Sequence, residues 1–155
     1  MKDARIFNSQ RVIPAGLWLV ALLAFLMVSC GDSNSGRTRF GGAKSVIPLI
    51  ENEKQFAEII ESSGERLLMF DLYADWCAPC KELAPILEEI VKENSDRVTA
   101  YKVDVDENKA IAASFRMTGI PFVVFVKNKT VRHSFLGLHP KKTYVKAIKT
   151  FSKSI

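Results

Sequence analysis

Hydrophobic and polar positions along this chain fall into blocks whose period changes from one block to the next. Residues 17–28 are apolar without a break, and residues 31–44 hold almost nothing apolar except Phe40. From residue 45 the blocks become short and alternate in type. Residues 45–49 predict a first strand, and residues 53–63 place Phe56, Ile59 and Ile60 at helical spacing, with Gly64 closing the helix. Residues 66–73 form a near-continuous apolar run of strand length, as a central strand buried on both faces requires. Residues 77–94 predict a helix with Leu83, Ile86, Leu87, Ile90 and Val91 on one side and Pro85 as a kink. A strand over 98–105, a short helix over 109–115, a hairpin of 122–127 with 131–136 across Asn128-Lys129, and an amphipathic helix over 141–153 complete the chain. This β-α-β-α-β-α-β-β-α order predicts an α/β domain, a mixed central sheet of about five strands covered by helices on both faces.

Length and composition fit one domain with an apolar addition: 155 residues, 48% hydrophobic and 25% charged. The addition is local. Lys2, Arg5 and Arg11 against Asp3, then the apolar run to Val28, then Ser29-Cys30-Gly31, make the three-part layout of an export signal over residues 1–29. Leu26-Met27-Val28-Ser29-Cys30 resembles the lipobox of bacterial lipoproteins, with Met27 where leucine is usual, which implies lipidation of Cys30. The alternatives are an uncleaved anchor, since residues 12–28 as helix cover about 25 Å against a hydrocarbon core of about 30 Å, or ordinary cleaved export. All three place residues 45–155 outside the cytoplasm. Residues 30–44, lipidated cysteine and polar stretch together, read as a tether that lets the domain swing within a few tens of Å. Without the leader, 19 basic residues face 16 acidic ones, with no block of five like charges and so no nucleic-acid footprint.

The chemistry concentrates in Trp76-Cys77-Ala78-Pro79-Cys80-Lys81, directly after the central apolar run. Cys-x-x-Cys serves zinc sites, haem attachment and redox pairs alike. Here no histidine follows Cys80, and Pro79 suits the first turn of a helix, where its missing N–H costs nothing. Cys77 then falls where unpaired N–H groups and the positive end of the helix dipole stabilise a thiolate, giving an exposed, nucleophilic sulfur.

From residue 45 to its end the chain resembles the thioredoxins. The resemblance rests on Asp71 in the central strand, the Trp76 to Lys81 motif, Pro85, Lys102, Gly119-Ile120-Pro121 before the hairpin and Gly137 after it. Asp71-Leu72-Tyr73-Ala74-Asp75-Trp76-Cys77 is also similar to the C-terminal domain of bacterial transmembrane thiol:disulfide reductases. The resemblance implies that Cys77 attacks a substrate disulfide, that Cys80 resolves the mixed disulfide, and that the Cys77–Cys80 disulfide is the only redox group, with no organic cofactor or metal. It implies a cis peptide before Pro121 beside the cysteines, and an apolar substrate surface of Trp76, Ala78, Pro79, Ile120, Pro121 and Gly137. Trp76 could equally be a packed surface aromatic, and Pro121 an ordinary trans proline at a strand entry. Three positions depart from the family pattern: Ala78 for glycine, Tyr73 for an indole, and Phe122 after Pro121 for threonine.

Asp71 stands inside an apolar run, where a charged carboxylate is costly to bury. Burial raises its pKa and fits it to accept the proton of Cys80, with Lys102 as its catalytic neighbour. The alternative is a structural acid satisfied by a local hydrogen bond or a salt bridge to Lys102. Two rival classes remain: a metal module ligated by Cys77, Cys80, His133 and His139, and a module that only holds unfolded clients. The favoured reading is a monomeric, membrane-tethered reductant of protein disulfides in the bacterial periplasm, fed by a transmembrane thiol:disulfide reductase. Oxidase or isomerase activity is the alternative direction.

Overall fold

A computed structural model describes residues 45–153 of the chain. The leader over 1–29 and the tether over 30–44, with Cys30, lie outside the described residues. Eight elements follow in order: α1 (Glu53–Ser62), β1 (Leu67–Tyr73), α2 (Ala78–Glu93), β2 (Val98–Asp104), α3 (Lys109–Ser114), β3 (Phe122–Lys127), β4 (Thr130–Leu136) and α4 (Lys141–Phe151). They build one sheet in the order β2-β1-β3-β4. β1 runs parallel to β2 and antiparallel to β3, and β3 is antiparallel to β4, so the sheet is mixed.

Strand alternation sorts the core into two layers. Leu68, Phe70 and Leu72 of β1 join Val103, Val124 and Val126 under Phe56, Ile59 and Ile60 of α1 and Ile111 and Ala112 of α3. Leu67 and Met69 point the other way, with Ala100, Val123 and Phe125, against Leu83, Leu87 and Ile90 of α2 and Tyr144, Ala147 and Ile148 of α4. Asp71 continues the second series, so the sheet turns its carboxylate toward α2 and α4.

The sheet has four strands rather than about five, because residues 45–49 contribute a single parallel bridge, Leu49 to Lys102. Around that bridge the Pro48 carbonyl accepts the Lys102 N–H (2.8 Å) and the Ile50 N–H donates to the Lys102 carbonyl (2.8 Å). Pro48 has no N–H to extend the ladder. Upstream, the Glu88 carboxylate takes the Val46 N–H (2.8 Å) and the Ser45 hydroxyl, bending the backbone out of register. Other boundaries shift by a residue or two, and α2 passes through Pro85 without ending there. The hairpin turn places Asn128 and Lys129 at φ 53° and 60°, the left-handed pair a two-residue hairpin loop needs.

Candidate active site

The site is assembled where β1 ends and α2 begins. Cys77 is the N-cap of α2: its backbone is extended (φ −81°, ψ 102°), and its Sγ accepts the Cys80 N–H at 3.2 Å. Ala78 and Pro79 occupy the first turn, so the proline forfeits an N–H that would have had no partner inside the helix. Cys77 and Cys80 are joined by a disulfide, their Cα atoms 5.3 Å apart. The two intervening residues bring the sulfurs together through one cap and one helical turn.

Cys77 is less accessible than its place in the motif predicts. Cys77 is 3% exposed and Cys80 4%, both within the apolar layer that contains Ala74 and Phe122, with Ile120 packed against it. Trp76 beside them is 69% exposed, and its indole N–H donates to Asp106 at 2.8 Å. It is an aromatic surface held by one polar bond rather than by packing, and Asp106 is a contact that the sequence alone did not single out.

The peptide between Ile120 and Pro121 is cis. The Pro121 carbonyl accepts the Gly137 N–H at 2.8 Å, tying the loop before β3 to the end of β4. Gly137 sits at φ 82°, a conformation that L side chains rarely adopt. The structure thus brings Ile120, Pro121 and Gly137 together, with Ile120 packed on the layer that holds both cysteines. Ala78 and Pro79 lie exposed on the first turn of α2.

Asp71 is 3% exposed, and its Oδ1 has no hydrogen-bond partner. Burial pushes its pKa up to about 6, against the pull of Lys102 and with a smaller push from Glu88. Asp71 and Lys102 are register partners on neighbouring strands. The ion pair that Lys102 makes is nevertheless with Glu88, Nζ to Oε1 3.7 Å, both side chains largely covered. Asp71 is therefore not the satisfied half of a salt bridge. A cavity of about 130 Å³ joins it to Cys80, lined also by Tyr73, Ala74, Asp75, Lys81, Ala84 and Lys102. That space is wide enough to admit water between the two groups.

Glu88 was not singled out from the sequence, although Cys80, Ala84 and Glu88 repeat every fourth residue and so share one face of α2. A larger cavity of about 450 Å³ lies at the other end of the sheet, between Lys127, Arg132 and the end of α4, and contains none of these residues. Nor do the histidines converge on the cysteines. His133 stacks on Phe151 and edges against Phe135, while His139 Nε2 lies 3.0 Å from the Leu136 carbonyl. The described residues contain no group of three or more His, Cys, Asp or Glu able to hold a metal.

The thioredoxin family model matches residues 47–150, two thirds of the chain and the whole of the sheet with its helices. The chain belongs to the thioredoxin family. It is 31% identical over 135 residues to thioredoxin M-type, chloroplastic, of Spinacia oleracea, an alignment covering 83% of this chain and 75% of the spinach protein. It is 35% identical over 96 residues to a thioredoxin of Rickettsia bellii, covering 62% of this chain and 90% of that protein. Among solved structures, Fasciola hepatica thioredoxin superposes with a TM-score of 0.64 at 30% identity, covering 68% of this chain and 99% of the other. The chain is therefore a thioredoxin-type disulfide oxidoreductase, and the Cys77–Cys80 pair fits its active site. Thioredoxins act on protein disulfides.

Proposed function

We propose that this thioredoxin is tethered to the bacterial envelope through lipidated Cys30 and reduces protein disulfides outside the cytoplasm. The observation that carries the chemistry is the pairing of a helix-capping Cys77 with a Cys80 that shares a cavity with a buried acid. In the reduced protein the Cys77 thiolate, favoured by the Cys80 N–H and the start of α2, attacks one sulfur of a substrate disulfide. A mixed disulfide forms, and the other substrate sulfur leaves as a thiolate that takes a proton. Cys80 then loses its proton to Asp71 and attacks Cys77 Sγ, which releases the second substrate thiol and closes the Cys77–Cys80 bond. Two electrons pass from the dithiol to the substrate. A dithiol donor, for which a transmembrane thiol:disulfide reductase is the fitting class, returns them. No bound organic cofactor takes part.

Ile120 offers backbone groups to an extended substrate segment, and Trp76, Ala78, Pro79, Pro121 and Gly137 surround it with apolar surface. Lys102 acts on the proton step rather than on sulfur. The protein works as a monomer.

The test is the equilibrium reduction potential of the full chain, titrated against a dithiol buffer. A value toward the reducing end of the family supports the reductant, whereas one toward the oxidising end replaces it with disulfide insertion or isomerisation. Tethering is read separately, by fractionating cells that express wild type or Cys30→Ser. Wild type is expected with membranes and the variant without, and equal distribution of the two overturns lipid attachment.

A further inference from the structure

Glu88 sits between two things the proposed mechanism treats as unrelated, the active-site acid and the point where the chain enters the domain. Its carboxylate accepts the Val46 N–H at 2.8 Å and the Ser45 hydroxyl, so it clamps the first described residues onto α2. The same carboxylate holds the Lys102 Nζ at 3.7 Å. Lys102 is bound in turn to the entering chain through both its backbone groups, to Pro48 and Ile50. It is also the register partner of Asp71 and lines the cavity that Asp71 shares with Cys80. One carboxylate thus fixes a cation whose charge favours ionised Asp71 against the larger effect of burial.

We infer that Glu88 is a positioning residue for the proton step: by holding Lys102 against the chain entry it withholds that cation from Asp71 and keeps Asp71 able to take the proton of Cys80. This rests on the reading of Asp71 as proton acceptor. The charged and titratable groups facing Asp71 are few and come from each element around it. They are Lys102 of β2; Cys80, Lys81 and Glu88 of α2; Tyr73 of its own strand; Asp75 of the loop before α2; and Tyr144 of α4. Asp75 and Lys81 are exposed, where solvent screens them. Lys102 and Glu88 are largely covered, so they dominate the local field, and they act on Asp71 with opposite sign. Glu88 itself stays ionised, since the bonds from Ser45 and Val46 and the charge of Lys102 outweigh the effect of its burial.

Removing the charge of Glu88 frees Lys102 and deletes a repulsive neighbour, and both changes favour ionised Asp71. Glu88→Gln keeps one acceptor oxygen, for the Val46 N–H, and can turn its amide N–H toward the Ser45 hydroxyl oxygen, so it removes the charge while leaving the clamp polar partners. The experiment follows single-turnover reduction of a disulfide peptide by the reduced full-length protein across pH, in wild type, Glu88→Gln, Lys102→Met and Asp71→Asn. The limb assigned to Asp71 is expected to move to lower pH by about half a unit or more in Glu88→Gln, and to higher pH in Lys102→Met. It is expected to vanish in Asp71→Asn. A limb that survives in Asp71→Asn overturns the Asp71 reading and this inference with it. A limb that Asp71→Asn removes but Glu88→Gln leaves in place overturns the role of Glu88 alone.

Discussion

Asp71 makes the folded chain sensitive to pH in a direction opposite to that of most acids in proteins. Its pKa is raised by burial from 3.8 to about 6, so between those values the folded chain binds more proton than the unfolded one and stability falls as pH rises. The loss is complete about one unit above the folded value, near pH 7, where it reaches about 3 kcal/mol at roughly 1.4 kcal/mol per unit; it fades out about one unit below the unfolded value, near pH 3. Asp71→Asn should therefore stabilise the oxidised protein by up to about 3 kcal/mol at pH 8 and by almost nothing at pH 3.5, measured by urea unfolding at both. A gain independent of pH would mean that packing, not ionisation, sets the cost. At the cysteines the division of labour is equally concrete. Cys80→Ser should accumulate a mixed disulfide with a disulfide peptide, visible by mass, while Cys77→Ser should form none; the reverse pattern would exchange their roles. Asp71 was legible in the sequence because an acid interrupts an apolar run. Glu88 was not, because what defines it, Lys102 and Ser45, comes from distant parts of the chain, and an acid on an amphipathic helix reads as solvated.

At the scale of elements, α4 shows how a strand can terminate a helix. Lys127, the last residue of β3 and only 6% exposed, donates from Nζ to the carbonyls of Ser152 (3.1 Å) and Lys153 (2.9 Å) just past the helix end. Those carbonyls have no partner within the helix, and a cation there also complements the helix dipole. Lys127→Met keeps the stem and loses both bonds, for an expected loss of about 1–3 kcal/mol in urea unfolding, with amide exchange rising first over 148–153. An unchanged midpoint would show that solvent replaces the lysine without cost. The long periodic elements were legible because their faces repeat: the alternation of β1 and the stripe of α2 each allow one placement against a core. Residues 45–49 read as a strand because their apolar residues satisfy the pattern, while pairing is decided by Pro48 and by Glu88 on another element. The accessibility of Cys77 was misjudged for a related reason. A motif specifies its cap geometry but not the layer that packs over it.

The described residues form a four-stranded sheet between two helical layers, and the two edges of that sheet are treated differently. The outer side of β2 is partly covered by the Pro48 to Ile50 segment, whereas β4 carries an open row of backbone groups along a strand that is exposed almost throughout. Val131 and Leu136 on that edge are each half exposed. An open edge with apolar residues is a template on which another copy can add a strand. Between Phe125 and Val126 the register shifts so that Arg132 has no opposite number on β3, a bulge that bends β4 and interrupts the regular edge on which another strand would add. Resistance to edge-to-edge association is therefore expected to rest on this irregularity, far from the cysteines. A chain lacking Arg132, with β3 and β4 paired residue for residue, should turn over substrate normally when dilute yet scatter light increasingly as it is concentrated, a colloidal defect with no counterpart in its chemistry.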